Sequence, residues 1–375
     1  MIDTMTIATK LTPIQCMSLL QDKIGISEDE ALSYIAYKFR TSSSPTYSSI
    51  DRKIRALFES YKTQFKLEYI RFCFSKKTGS IYLIIKFHLI DFVEISFSFE
   101  DFINDKFPIP YQLFSGNEEE VSSLVNTYCT LIMNLFFNSC PWDELELLRD
   151  FNNASIWRID YSFNLKVPEN LVSLYLHQFN GSVIEKNRLK KRTRFKYDSV
   201  YLKNQSLAVS IYDKHKECIA KNRPDLDYTK GILRYEVRFL KARLVKSLKN
   251  KYGFTNRELL QHDFAQSILL NYWLLLLPTG DFYKGTAANK RIRSELPTRQ
   301  ANKLIRFQKY LQDKHSVNTA RKGSTYTTKT FDTNLKTLND MDIAPFLVPI
   351  NKSKEYGISK YRLGSVLPNP YKQIA

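Results

Sequence analysis

Cysteine and histidine are scarce in this chain of 375 residues, with five of each. The cysteines (Cys16, Cys73, Cys129, Cys140, Cys218) are scattered, odd in number and free of CxxC spacing, which argues against a disulfide framework or a zinc site and for a reducing compartment. The histidines (His88, His177, His215, His262, His315) contain no HxH or HExxH pair that would signal imidazole ligation of a metal. Long apolar runs are missing too. The longest stretch, "SILLNYWLLLLP" at 267–278, is about half of the ~20 residues a spanning helix needs, and it predicts a core helix. The opening "MIDTMTIATK", with an early Asp and no apolar stretch, predicts no secretory signal. These absences predict a cytoplasmic protein that does not associate with membranes.

Acidic residues are in short supply over only part of the chain. Lys and Arg number 56 against 38 Asp and Glu, a net charge of +18. Residues 1–150 hold 15 basic and 20 acidic residues, whereas 151–375 hold 41 and 18. The densest stretch, 181–260, carries 21 basic and 8 acidic residues and includes "KNRLKKRTRFK" at 186–196. A segregated positive charge predicts a polyanionic partner, with a solvated basic face or a membrane-surface patch as the bland alternative. Aromatic residues interleaved with the charges (Phe195, Tyr197, Tyr201, Tyr212, Tyr228, Tyr235) favour nucleic acid, because bases stack on rings while Lys and Arg hold phosphates. Lys190, Lys191, Arg192, Arg194 and Lys196 are the candidate phosphate contacts of the run.

With 43% hydrophobic and 14% aromatic residues, the chain has material for two or three domains. Three regions are expected: an acidic α+β region at 1–150, a basic domain with a central sheet at 151–280, and a helical region at 281–375. Residues 1–66 read as short helices broken by "RTSSSPTYSS", and 67–103 as β-rich runs. "NEEEVSSLVNTYCTLIMNLFF" at 117–137 reads as a helix with acids at its positive end. Then comes a compact series: strand "ASIWRIDYSFNL", helix "PENLVSLYLHQF", strands "DSVYLKN" and "SLAVSIYDK", a short charged helix or loop, strand "GILRYEVRF", and a basic helix ending at Gly253. This order predicts an α+β fold whose antiparallel or mixed sheet carries helices on one face and leaves the other for a ligand.

The period of two sorts the strand residues by face. One polar face carries Arg158, Asp160, Ser162 and Asn164, a second Ala208, Ser210, Tyr212 and Lys214, and a third Arg234, Glu236 and Arg238. Each set alone reads as the wet side of a sheet with ion pairs worth ~0–1 kcal/mol. Jointly, within the most basic part of the chain, they point to a site. Two carboxylates suit a hard divalent cation, Mg²⁺ or Mn²⁺. Tyr212 is placed to attack a phosphodiester once its ordinary pKa of ~10 is offset by a metal, Lys214 or the arginines.

"WRIDYSFN", "AVSIYDKHKE" and "GILRYEVRFLKARLVKS", in this order and spacing, resemble the gene II/X replication initiators of filamentous phages and related phage and plasmid rolling-circle initiators, as do the opening "MID" and the closing "YKQIA". The resemblance runs end to end and is densest over 154–250. It implies an enzyme that nicks one strand of a duplex origin, becomes joined to the 5′ phosphate through tyrosine, and rejoins the displaced strand. By resemblance, Tyr212 is the nucleophile, Lys214 its helper, Asp160 and Glu236 the Mg²⁺ ligands, and Arg158, Arg234 and Arg238 phosphate or structural partners. The partners implied are origin DNA, double- and single-stranded, and a host helicase. The chain lacks the paired histidines through which many such initiators and relaxases bind metal, which excludes that version of the chemistry unless carboxylates substitute.

Other tyrosines compete in the same region: Tyr235 falls on the apolar face and reads as core, while Tyr201 and Tyr228 are placed to stack bases. His215 adjoins the "IYDK" motif, and Asp213 points away from Tyr212 if the strand continues through it. In "TRQANKLIRFQKYLQDKHS", Ala301, Leu304, Ile305 and Leu311 keep a helical stripe, and "STYTTKTFDTNLKTLNDMDI" predicts a further helix. The pair reads either as a helix-turn-helix or winged-helix unit that binds origin duplex, or as a helical cap. A replication repressor without chemistry, and a tyrosine relaxase or transposase, are the alternative functions.

Overall fold

The computed structural model of the chain describes residues 2–40, 47–89, 113–191, 199–222, 227–349 and 362–363. Strand β1 (Ile2–Leu11) is followed by helices α1 (Pro13–Leu19), α2 (Glu28–Arg40) and α3 (Ser48–Gln64), then by strands β2 (Leu67–Ser75) and β3 (Ser80–His88). Helices α4 (Glu118–Phe136) and α5 (Trp142–Arg149) lead to β4 (Ser155–Lys166) and α6 (Val172–Ser182). Strands β5 (Lys190–Lys191), β6 (Ser199–Lys203) and β7 (Leu207–Asp213) precede α7 (Lys214–Ala220), β8 (Ile232–Phe239), α8 (Ala242–Tyr252) and α9 (His262–Leu276). The rest comprises β9 (Phe282–Tyr283), α10 (Gly285–Glu295), α11 (Thr298–Asp313), α12 (Val317–Lys322), α13 (Thr328–Asp340) and β10 (Arg362–Leu363). Eight strands form one antiparallel sheet in the order β2-β3-β1-β4-β8-β7-β6-β5, so the fold is α+β as its sequence predicts.

Two compact units divide the chain: Met1–Tyr161 with Arg238–Gln266, and Ser162–Val237 with Ser267–Ala375. In the first, β1 corrects the expectation of helices alone over residues 1–66. It lies between β3 and β4, with Thr4 opposite Asp160 and Thr6 opposite Arg158. Its threonines 4, 6 and 9 are buried with its apolar residues, so the strand has no polar face by which to recognise it. Helix α1 starts with a reciprocal cap: Thr12 Oγ1 accepts from the Gln15 amide and Gln15 Oε1 accepts from the Thr12 amide. Asn117 caps α4, and the three glutamates that follow occupy its first turn as expected. The β-rich residues 90–103 of the sequence reading lie outside the described residues.

In the second unit, β6 and β7 form a hairpin in which Asn204 Oδ1 accepts from the amides of Ser206 and Leu207, both at 2.8 Å. The register sets Tyr201 opposite Ser210 and Ser199 opposite Tyr212. The predicted core helix falls in α9, whose Trp273 packs edge-on against Tyr235 and Phe179. Among the C-terminal helices, Ala301, Leu304, Phe307 and Leu311 of α11 join Ile292, Val317, Ala320, Phe331 and Leu338 in one apolar cluster. Ile305 packs against its edge, so the stripe expected on α11 turns toward Phe307.

Candidate functional site

Every residue of β8 is buried on both faces: Arg234 and Glu236 are each 1% exposed and Arg238 9%. Ser210 of β7 and Ser162 of β4 are buried as well. This corrects the expectation of an open, solvated polar face. Ser162, Ser210, Arg234 and Glu236 are thus sealed from water, where polar groups generally pair with protein partners, whereas Arg158 and Asn164 of β4 are half-buried.

In the second unit, Tyr212 Oη donates to Glu236 Oε1 at 2.6 Å, and Ser210 Oγ to Glu236 Oε2 at 3.4 Å. One carboxylate thus collects hydroxyls from two alternate positions of the neighbouring strand, an outcome of the period of two. Arg234 Nε donates to Asn164 Oδ1 at 2.6 Å, joining β8 to the end of β4. Tyr212 is 3% exposed. A buried carboxylate that accepts from a phenol can also take the phenolic proton.

Lys214 corrects a second expectation. Strand β7 ends at Asp213, whose side chain caps α7 by accepting from the Lys216 amide, and Lys214 begins the helix rather than continuing the polar face of the strand. Its ammonium is buried and donates to Glu217 Oε2 at 2.7 Å, one helical turn on. Burial raises the Glu217 carboxyl, but Lys214 and Lys221 outweigh it and bring the group from its ordinary 4.5 down to about 2. His215 Nδ1 lies 2.7 Å from Thr229 Oγ1. Glu217 was not singled out by its sequence, although its spacing of three from Lys214 and four from Lys221 is the helical ion-pair pattern.

Asp160 belongs to the first unit. Its carboxylate, 2% exposed, accepts from Arg158 Nε at 2.8 Å and Nη2 at 2.5 Å and from Thr4 Oγ1 at 3.0 Å, with Arg238 Nε 3.9 Å away. The bond to Asp160 holds the Arg158 guanidinium above its ordinary pKa. Both oxygens of Asp160 are engaged in a forked ion pair, and Glu236 is engaged in the other unit. Among the described residues no group of three or more His, Cys, Asp or Glu is placed to hold a metal.

Of the predicted phosphate contacts, Lys190 pairs with Glu185 at 3.3 Å and Lys191 donates from Nζ to the Asn180 carbonyl at 3.0 Å. Arg192, Arg194 and Lys196, together with Phe195 and Tyr197, lie outside the described residues, as does the Tyr228 side chain. Tyr201, predicted to stack bases, is 6% exposed and packed in the sheet. Tyr235 is core as expected, its hydroxyl donating to the Leu269 carbonyl at 3.1 Å. Among the described residues no helix is long and apolar enough to cross a membrane. Compared with protein-family models and with curated proteins, the chain matches none.

Proposed function

We propose that the chain is a rolling-circle replication initiator that nicks one strand of duplex origin DNA through Tyr212. The observation that carries this reading is the 2.6 Å bond from the Tyr212 phenol to Glu236, set in a chain whose positive charge is gathered beyond residue 150. In the nicking step Tyr212 Oη bonds to phosphorus and the phosphorus to O3′ bond breaks. The phenolic proton passes to Glu236, and the departing 3′ oxygen takes a proton from water. The products are a 5′-phosphotyrosine and a free 3′ hydroxyl, and attack by a 3′ hydroxyl on the phosphotyrosine reverses the step to close a circle. A carboxylate is a weak base for a phenol, their ordinary pKa values lying ~6 units apart, so the transfer must accompany bond formation to phosphorus. The basic stretch holds the backbone, and α11 with α13 is the candidate duplex-binding pair, presenting Lys303, Lys309, Lys329 and Lys336 to solvent.

A second reading is favoured by the burial of Tyr212. A phenol only 3% exposed is also what a purely structural hydrogen bond would give, and the protein is then a DNA-binding repressor. The two separate on one experiment. Wild type and Tyr212→Phe are incubated with supercoiled DNA carrying the origin of the element that encodes the chain, with Mg²⁺ or with EDTA, and run on denaturing gels. A nick bearing covalently attached protein, absent from the variant, is expected. The EDTA arm reads the divalent-cation requirement that the sequence resemblance implies. Binding without nicking by the wild type would leave the repressor reading, and nicking retained by Tyr212→Phe would move the chemistry to another tyrosine.

A further inference from the structure

Within the second unit, α11 is held along one side only. Ala301, Leu304, Phe307 and Leu311 are buried, and Phe307 packs edge-on against Tyr326 and Phe331, with ring centres 5.5 and 5.0 Å away. Tyr310 Oη lies 2.9 Å from the carbonyl oxygens of both Ala320 and Gly323, and Gln312 Nε2 donates to the Pro345 carbonyl at 3.1 Å. These contacts fix the rotation of the helix and so decide what it shows to solvent. At ~100° per residue, Arg299, Asn302 and Arg306 fall within ~60° of one another on the exposed side, with Lys303 and Lys309 at the two edges of the stripe. No acid interrupts this stripe before Asp313.

The neighbouring helices differ. On α10, Arg291 pairs with Glu295 at 3.0 Å, and Arg321 of α12 pairs with Asp332 of α13. The two lysines of α13, Lys329 and Lys336, are matched by its two acids, Asp332 and Asp340. Among the described residues, none supplies an ion-pair or side-chain hydrogen-bond partner to the five residues of the α11 stripe. Its cations stand three or four residues apart, where like charges on a helix repel, so a polyanion seated on the stripe would relieve that repulsion. The composition narrows the polyanion further. Arg takes guanine O6 and N7, and Asn takes adenine N6 and N7, each through two hydrogen bonds, whereas Lys suits phosphate as a point charge. Arg299 and Arg306 stand ~10 Å apart along the axis, about three base steps.

We propose that α11 enters the major groove of duplex DNA and reads its sequence. Asn302 and Arg306 contact base edges with Arg299 beside them, and Lys303 and Lys309 hold phosphates at the margins of the groove. This deepens the proposed function: it rests on the reading of the chain as a DNA-binding protein and not on the chemistry of Tyr212.

The test is selection by the full chain, in EDTA, from a pool of randomised duplexes, followed by anisotropy titration of the enriched sequence and of a scrambled duplex. Wild type is expected to enrich a site in which a guanine and an adenine lie within about three base pairs of each other. Arg306→Lys keeps the charge but loses the paired hydrogen bonds, and Asn302→Ala changes no charge. Each is expected to lower the preference for the enriched site about tenfold or more, with the affinity for scrambled duplex and the salt slope unchanged. Lys309→Ala is expected to weaken both duplexes alike and to reduce the slope by about 1. All three positions are exposed, and thermal melts matching wild type are expected. No enriched sequence, a preference kept by both Arg306→Lys and Asn302→Ala, or single-stranded DNA or RNA bound as tightly as the duplex would overturn the proposal. A preference lost in these variants of a chain that does not nick its origin would uphold α11 as the reading helix and reject the nicking chemistry; nicking with the preference intact in both variants would do the reverse.

Discussion

Glu236 is nearly sealed from solvent and takes the hydroxyls of Tyr212 and Ser210, so substitutions at the two ends of its short bond differ in effect. Tyr212→Phe deprives a buried carboxylate of its nearest donor and is expected to lower stability by about 1–3 kcal/mol in urea unfolding. Glu236→Gln still accepts from the phenol, so it is expected to unfold closer to wild type while losing the proton acceptor and hence the nick. Wild-type nicking by Glu236→Gln would reject Glu236 as that acceptor. Glu217 makes a prediction in pH. Its carboxyl is depressed in the folded chain, so its contribution is fully present above the ordinary 4.5 and is lost as pH falls toward about 2. The stability gap between wild type and Glu217→Gln is therefore expected to hold at neutral pH and shrink through that acid window, as read by urea midpoints. A gap that stays constant would mean the carboxyl is not depressed. The alternation of "LRYEVRF" makes the acid between two arginines legible, but not the partner each one takes. Arg234 goes to Asn164, Glu236 to Tyr212, and Arg238 lies near Asp160.

Turns and caps decide where the elements stop. Gly116 sits at φ +82 against the loop before α9, where a Cβ would collide with the Leu260 carbonyl and stand 2.7 Å from the His262 amide. Gly25 has a similar positive φ of +67 but open space around it. Gly116→Ala is expected to cost clearly more than Gly25→Ala, whose penalty is the left-handed backbone alone, about 1–2 kcal/mol. Thermal melts of the two variants compare them, and equal losses would show that the loop yields. The same attention to element ends explains Lys214. Asp213 is a strand residue by alternation and a helix cap by side chain, and the cap prevails because a helix with several orphan amides starts there. Strand β1 escaped recognition for a different reason: in a central strand buried on both sides, alternation has no polar face to show, and buried threonines imitate one in the wrong places.

A surplus of +23 over residues 151–375, against −5 before them, is a property of the chain as a whole and predicts strongly salt-dependent DNA binding. Log K is expected to fall by ~0.9 per neutralised phosphate for each tenfold rise in salt on duplex DNA, measured by anisotropy across a salt series. A flat profile would remove the backbone grip from the proposed function. Charge segregation, the α+β class and the strand series from 154 to 239 follow from composition and local periodicity, because side-chain alternation and caps are set by backbone geometry within a few residues. The pairing of Thr4 with Asp160 across 156 residues, and of Tyr212 with Glu236 across 24, was decided only when the strands took their places and registers in the sheet. A sequence pattern assigns a residue to a face; sheet order and register choose the atom it meets, and burial then makes that contact obligatory.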